Sequence, residues 1–127
     1  MTSRRFFVLG AFFAGTAVAA GAFGAHLLKP VLDAPMLAAF ETAARYQMYH
    51  ALGLCLVSSA DGRYPNLNCT TVGWLFTTGI LLFSGSLYAL SLVGIPWLGA
   101  LTPFGGAAFM AGWVLLAWGV LRSDRPS

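Results

Sequence analysis

Charged residues are scarce in this chain of 127 residues: Asp, Glu, Lys and Arg make up 9% of it, whereas 58% of its residues are hydrophobic. Soluble domains carry roughly 25% charged and about 45–50% apolar residues. The chain therefore has too little charge to cover a soluble globule, and its mean hydropathy is +0.76. This composition excludes a disordered tail, a coiled coil and an ordinary cytosolic enzyme, and it predicts an integral membrane protein.

Cysteine is scarce as well. The chain has two cysteines, Cys55 within an apolar run and Cys69 beside a polar segment, and no C-x-x-C motif. This excludes a disulfide-stapled secreted module, and it predicts neither a disulfide nor a metal site. The net charge of +3 comes from seven Lys and Arg against four Asp and Glu. Because these charges lie at the ends of apolar runs and not on one basic face, we expect no nucleic-acid partner.

Long apolar runs are abundant, and they predict four membrane-spanning helices. The first, third and fourth runs contain no Asp, Glu, Lys or Arg. The first run has 23 residues. A helix of that length measures roughly 34 Å, enough to cross the ~30 Å hydrocarbon core. The predicted helices cover residues 6–28, 37–60, 71–93 and 103–121.

The second run differs from the others because its first ten residues are amphipathic and carry Glu41 and Arg45. Its apolar remainder, residues 48–60, is too short to cross alone, so residues 39–48 must lie partly at membrane depth. Short loops join only neighbouring helices. We therefore predict an all-α fold, an integral membrane bundle of four antiparallel transmembrane helices that forms a single domain over residues 1–127. Continuous apolar runs exclude a membrane β-barrel, whose strands alternate polar and apolar residues.

Helix breakers and capping residues mark the ends of the predicted helices. Pro30 follows the first helix, the polar segment 61–66 follows the second, and residues 94–96 follow the third. Asp33 and Thr102 each precede a proline by one or two residues, and both are predicted to cap the helix that follows.

The N-terminal segment allows a second interpretation. Residues 3–9 resemble a twin-arginine export signal, and residues 17–19 resemble a cleavage site; cleavage would leave three spans. The apolar run is longer than a signal core of roughly 7–15 residues, and three more spans follow it. We therefore favour an uncleaved first helix whose two arginines hold its start in the cytoplasm.

Basic residues are unequally distributed between the two sides of the predicted bundle. One side carries Lys29 and, if it reaches the interface, Arg45. The other side carries Arg4, Arg5, Arg63, Arg122 and Arg125. Because cytoplasmic loops are enriched in Lys and Arg, both termini are predicted to be cytoplasmic.

Small residues recur at three- or four-residue spacing in two of the spans. Lipid gives apolar helices no hydrophobic reason to associate, so small residues must let their backbones approach. The residues concerned are Gly15, Ala17, Ala19, Gly21 and Ala25 in the first span, and Gly105, Ala108 and Gly112 in the fourth. We interpret them as contacts within the chain, with a seam between copies as the alternative.

Polar side chains within the spans are concentrated in the halves that face away from the cytoplasm, so folding would bring them together as an outward-facing polar patch. Such groups are expected to pair or to face protein, because a charged side chain at mid-bilayer costs at least ~2.5–3.5 kcal/mol. The candidate site residues are His26, Glu41, Arg45, Tyr46, Gln47, His50, Ser84, Ser86, Tyr88 and Thr102.

Two features of the second helix have alternative interpretations. Glu41 precedes Arg45 by four residues, the favourable order for an ion pair. That pair is either structural or a clamp for a substrate. His50 is either a hydrogen-bonded histidine of the bundle interior, a proton relay or a metal ligand. The chain has no nucleophile–base–orienter set, no H-E-x-x-H and no phosphate-binding loop, so we predict no catalytic residue, no metal and no cofactor.

The same segments resemble a known family. Residues 21–26, 41–50, 82–88 and 102–113 are similar in sequence, order and interval to motifs of the YgdD-type bacterial membrane proteins, the family called domain of unknown function 423. The resemblance extends from about residue 1 to 122, and the polar loop 61–69 departs from the family pattern without affecting these motifs. It implies an uncleaved, multi-pass, four-helix protein of the bacterial inner membrane.

These observations favour a non-enzymatic membrane protein. The leading hypothesis is an accessory or assembly protein, or a protein that binds a lipid-like ligand at its outer patch. Its expected partners are the lipid bilayer and either another membrane protein or a second copy of the chain. The alternative is a small transporter or proton-coupled carrier that uses Glu41, Arg45 and His50, since intramembrane ionisable groups are functional candidates. A membrane enzyme acting on lipid or quinone substrates is a third class.

Overall fold

The structure, a computed structural model, describes residues 2–123, and the regular elements of this part of the chain are all helices. The predicted all-α class is confirmed, and each helix contains one of the four predicted segments. Helix α1 consists of Thr2–Phe23 followed by a π-helical turn, Gly24–Leu28, and helix α2 is Ala34–Ala60. Helix α3 consists of three consecutive segments: Cys69–Gly79, the π-helical turn Ile80–Ser84, and Gly85–Val93. A short 3-10 helix, Pro96–Ala100, precedes helix α4, which is Thr102–Leu121.

The helices begin and end near the residues that their local sequence predicts, but one predicted cap is not formed. Asp33 caps α2 as predicted, because its side chain accepts a hydrogen bond from Met36 N at 2.9 Å. Gly94 ends α3 with a left-handed φ of 76°. The predicted cap at Thr102 is wrong: α4 has no side-chain cap, because the Thr102 hydroxyl lies 2.6 Å from the Ser86 hydroxyl instead.

Helices α1 and α2 pack against each other and run in opposite directions. At one end, the Ser58 hydroxyl donates to Ser3 O. Near the middle of both helices, the Gln47 amide donates to Phe13 O. Gly10 permits this close approach, because a Cβ at that position would lie 2.7 Å from a backbone oxygen of α2.

Helices α3 and α4 also pack against each other in opposite directions, and glycines let their backbones approach closely. A Cβ on Gly112 would lie 2.6 Å from Phe76. The prediction that Gly105 and Gly112 serve helix packing is therefore confirmed, as is expected where van der Waals packing drives association. Along this contact the pairs are Gly119 with Leu67, Gly112 with Phe76, Phe109 with Gly79, and Gly105 with Phe83.

The small residues of α1 behave differently. Ala17 is buried, and Gly24 packs against Phe40 of α2. A Cβ on Gly15 or Gly21, however, would meet no atom within 4 Å. The interpretation that these two glycines serve packing within the chain is therefore wrong, because both lie on the outer face of α1.

Within residues 2–123, three stretches are long and apolar enough to cross a membrane: Ser3–Leu28, Cys69–Val93 and Pro96–Leu121. Helix α2 is 27 residues long, but it carries Glu41 and Arg45 and does not belong to this set. Large apolar side chains are exposed on all four helices. Apolar surface therefore faces outward as well as inward, which is the pattern of helices in lipid.

Gly105→Ala is predicted to destabilise the protein, because the new methyl group would collide with the backbone of Phe83. Overpacking of this kind costs about 1–3 kcal/mol. Gly85→Ala is the matched control, since Gly85 is also helical and a Cβ there meets no atom within 4 Å. Thermal unfolding in detergent micelles measures both variants. Equal midpoints would contradict a close contact between α3 and α4.

Candidate functional site

The middle of α2 carries a buried amide, Gln47, that joins three helices. Its Nε2 donates to Phe13 O at 2.8 Å and to Thr16 Oγ1 at 2.7 Å, both on α1. Its Oε1 accepts a hydrogen bond from the Tyr88 hydroxyl on α3 at 2.7 Å. These bonds use both amide protons and the carbonyl oxygen, so this amide, which is 6% exposed, is fully satisfied. We call Gln47, Thr16 and Tyr88 the Gln47 cluster.

One turn further along α2, His50 is buried with both ring nitrogens bonded. Its Nδ1 lies 2.8 Å from Tyr46 O, and its Nε2 lies 3.0 Å from the indole nitrogen of Trp113 on α4. A carbonyl oxygen can only accept a hydrogen bond, and an indole N–H can only donate one. The ring is therefore the neutral tautomer that carries its proton on Nδ1.

Four aromatic rings surround the imidazole of His50, including that of Tyr46, whose centroid lies at 6.3 Å. Phe109 stacks on it with 3.4 Å between ring centroids and 7° between ring planes. Phe76 meets it edge-on at 5.4 Å, and the Trp113 ring lies at 5.8 Å. A second proton would remove the acceptor of the Trp113 bond and place a charge among apolar rings. This geometry matches a hydrogen-bonded histidine of the bundle interior.

A cleft of about 590 Å³ lies beside His50, between α2 and α4. Met110, 66% exposed, and Tyr49, 50% exposed, lie at its mouth, so the cleft opens to the side of the helices. Its walls are aromatic or apolar, apart from the hydroxyls of Tyr46 and Tyr49 and the imidazole of His50, whose two nitrogens are already hydrogen-bonded. We call it the aromatic cleft. It is lined by Tyr46, Tyr49, His50, Phe83, Gly106, Phe109, Met110 and Trp113.

The predicted serines on α3 bond to its two neighbours. Ser84 donates to Ala43 O on α2 at 2.7 Å, and the Ser86 hydroxyl lies 2.6 Å from that of Thr102 on α4. Within the described chain, neither serine is bonded to the Gln47 cluster or to His50. These hydroxyls therefore tie helices together and do not extend the surroundings of the cleft.

The ionisable candidates His26, Glu41 and Arg45 are exposed. The predicted ion pair between Glu41 and Arg45 is not formed: over residues 2–123, neither side chain has an ion pair or a hydrogen bond. Both project from the outer face of α2, and their spacing alone does not determine which way the two long side chains extend. The ten predicted residues thus form several separate groups and not one patch.

Several residues that build the site are not among the predicted ones, including Thr16, Phe109 and Trp113. Thr16 and Trp113 lie near the middle of apolar spans, where a hydroxyl or an indole N–H needs a partner within the protein. That requirement could have identified both. Phe109 carries no such signal, because its stacking on His50 depends on how the helices pack.

Among the described residues, the arrangement offers an apolar binding surface beside His50. The hydrogen-bonding partners of His50 are a backbone carbonyl and an indole, and neither can act as a nucleophile. In the part of the chain that the structure describes, no three His, Cys, Asp or Glu residues lie close enough to hold a metal ion. The cleft therefore presents an apolar volume with aromatic walls.

An all-helical chain with apolar spans, apolar outer faces and interior polar groups saturated by hydrogen bonds is a helical membrane protein. Its sequence matches the family described as "Protein of unknown function (DUF423)" over residues 20–106. The chain belongs to this family, and the resemblance inferred from its motifs is confirmed.

Relatives of similar length carry the name membrane protein. The chain is 47% identical to a UPF0382 membrane protein of Staphylococcus saprophyticus over 117 residues, which cover 92% of this chain and 97% of the relative. It is 46% identical to the UPF0382 membrane protein YwdK of Bacillus subtilis over 112 residues, which cover 87% of this chain and 91% of that protein. No solved structure matches the chain.

Trp113→Phe is predicted to destabilise the protein while keeping the aromatic packing, because it leaves Nε2 of buried His50 without a donor. An unsatisfied buried acceptor costs about 1–3 kcal/mol. Trp118→Phe is the control on the same helix, since Trp118 is exposed. Thermal unfolding in micelles compares the two variants. A midpoint for Trp113→Phe no lower than that of the control would contradict the bond to His50.

Proposed function

We propose that all four helices cross the membrane, so that the chain forms one antiparallel four-helix membrane domain over residues 1–127. At 27 residues, α2 measures roughly 40 Å. It packs along its length against α1 and α3, which contain two of the apolar spans. A helix packed in this way shares the depth of its neighbours, and this supports a fourth crossing despite Glu41 and Arg45.

The proposed orientation places both termini in the cytoplasm of a bacterium, with the protein in its inner membrane. The bond from Ser58 to Ser3 O brings the start of α1 and the end of α2 together. The bond from Asn66 Nδ2 to Arg122 O, at 2.7 Å, brings the loop after α2 to the end of α4. The described arginines at this end are Arg4, Arg5, Arg63 and Arg122, and the predicted contribution of Arg125 lies outside the described residues. Their shared location supports the cytoplasmic side.

This orientation predicts which loops react with a membrane-impermeant maleimide in intact cells. In a chain with Cys55→Ala and Cys69→Ala, Val31→Cys should be labelled and Pro65→Cys should not, because the two exposed positions lie in loops on opposite sides. Both should be labelled after lysis, which serves as the control. Labelling of Pro65→Cys in intact cells would contradict cytoplasmic termini.

We further propose that the protein binds a lipid-like molecule by its hydrocarbon chain in the aromatic cleft, as an accessory protein and not as an enzyme. The observation that carries this proposal is the cleft itself, about 590 Å³ of apolar volume that opens sideways. Ligand pockets are typically about 300–1,000 Å³. A chain could enter directly from the bilayer, without passing through water.

The chemistry of the walls selects a hydrocarbon. Rings from Tyr46, Phe83 and Phe109 provide apolar contact, while Gly106 presents no side chain and leaves room. The polar atoms of His50 are already engaged, so His50 itself offers a polar ligand group no free partner. For the same reason His50 is poorly placed to carry protons, and this supports binding over the carrier hypothesis.

Gly106→Leu is predicted to reduce lipid retention about tenfold, which corresponds to ~1.4 kcal/mol of binding free energy, because its side chain would fill the cleft. Gly21→Leu is the control, since a Cβ there meets no atom within 4 Å and Gly21 does not line the cleft. Native mass spectrometry after extraction in mild detergent counts the retained lipids. Wild-type protein without bound lipid, or equal retention in the two variants, would overturn the proposal.

A further inference from the structure

The outer face of α2 carries an unusual combination of side chains. Its exposed positions recur every three or four residues, which is the spacing of a single helix face, and they include one acid and one base among apolar residues. The face consists of Ala38, Glu41, Arg45, Tyr49, Leu52 and Leu56, all of which are exposed.

The two charges on this face lie at the depth of the hydrocarbon core. Gln47 is bonded to Phe13 O and Thr16, which lie near the middle of the apolar span Ser3–Leu28. Arg45 and Glu41 precede Gln47 by two and six residues, which places them roughly 3 Å and 9 Å from that level. The hydrocarbon core extends about 15 Å on each side of its centre. In a single chain, both side chains would therefore meet lipid.

Charged side chains exposed to hydrocarbon are costly, and they normally face protein or pair with each other. Within the described residues, Glu41 and Arg45 have no partner in their own chain. A lipid headgroup could reach Glu41 only by moving several ångströms into the core. A protein partner that brings an acid and a base to within one turn of these depths would satisfy both charges.

We infer that a second copy of this chain covers the outer face of α2, and that Glu41 of each copy pairs with Arg45 of the other. In a two-fold symmetric dimer every contact occurs twice, so an acid and a base one turn apart on the same face can form two diagonal pairs, each bridging roughly 6 Å along the helices. Both copies share one orientation because the same basic residues direct their insertion. Their α2 helices therefore run parallel, with Leu52 and Leu56 packing at the spacing of a helix pair.

This inference rests on α2 crossing the membrane but not on the ligand of the aromatic cleft. Glu41 and Arg45, which form the proposed pairs, do not line the cleft, although Tyr49 belongs to both surfaces. Loop labelling and lipid retention test the topology and the ligand separately. Failure of the dimer would leave both results unchanged.

Disulfide cross-linking in native membranes tests the interface directly. In a chain with Cys55→Ala and Cys69→Ala, Leu52→Cys should form several-fold more dimer under copper phenanthroline than Val114→Cys. Leu52 is 57% exposed and Val114 is 64% exposed. The two lie at similar depth, because Trp113, next to Val114, is bonded to His50. Equal yields would overturn the proposal.

A second control is Val18→Cys, which reports on the outer face of α1 and its small residues. Val18 is also exposed, at 62%. Preferential cross-linking through Val18→Cys would place the dimer on α1 and overturn the assignment to α2. Cross-linking of Leu52→Cys to a different protein would likewise overturn it.

Charge exchange tests the ion pairs. Both variants carry Leu52→Cys as the cross-linking reporter. Glu41→Arg leaves two bases on the face and Arg45→Glu leaves two acids, so like charges repel in each homodimer. The cross-linking yield of each variant alone should therefore fall several-fold below that of the parent. Co-expression of the two variants should restore cross-linking as the mixed dimer only, because each base then meets an acid. Single variants that cross-link like the parent would overturn the pairing. A mixed pair that fails to form, although both variants insert and keep the unfolding midpoint of the parent, would also overturn it.

Discussion

Inside a bilayer, a polar group buried in the protein has no water to bond to, and it must find its partner within the fold. Helix α2 carries most of these groups, and its neighbours are arranged around them. Gln47 takes partners from α1 and α3, and His50 takes its partner from α4. The least apolar helix of the four is thus the one that contacts the other three through hydrogen bonds.

Two kinds of interaction hold the bundle together, and they predominate between different helices. Hydrogen bonds connect α2 to its neighbours, whereas α3 and α4 are joined mainly by glycines that admit Phe76 and Phe83, with one hydrogen bond between Ser86 and Thr102. The hydrogen bonds fix the register of α2, because a shift by one residue would leave Gln47 without its partners. The glycine contacts fix the distance between α3 and α4 and need no polar group. A small chain thereby specifies its packing with few polar residues.

Much of the fold could be predicted from the sequence, because long apolar runs determine helix extent and Asp33 is a local capping signal. The partners of the polar side chains could not. Gln47 bonds to a backbone carbonyl of α1, which no side-chain pattern reveals, and Thr102 bonds across to Ser86 when its local sequence favours a cap. The π-helical turn Ile80–Ser84 adds a further departure, since it interrupts the 3.6-residue period by which faces of α3 are assigned.

The spacing of Glu41 and Arg45 predicted a pair within one helix, but spacing alone does not determine which way two long side chains extend. Similarly, the sequence indicates the depth of each candidate residue, and depth cannot separate the different faces of a helix. The Gln47 cluster and His50 lie within one turn of each other on α2, yet they face different neighbours. Assigning such residues to sites requires the packing angles between the helices. Those angles depend on residues such as Gly105, which has no functional side chain.

The glycine contacts between α3 and α4 have a mechanical consequence. Two helices whose backbones meet this closely can neither rotate nor slide against each other without collision, so the pair behaves as one rigid body. The aromatic cleft has α4 and Phe83 of α3 on one side and α2 on the other. If a hydrocarbon chain binds there as proposed, the cleft would widen by tilting of α2, and the bond between His50 and Trp113, which crosses the gap, would resist that movement.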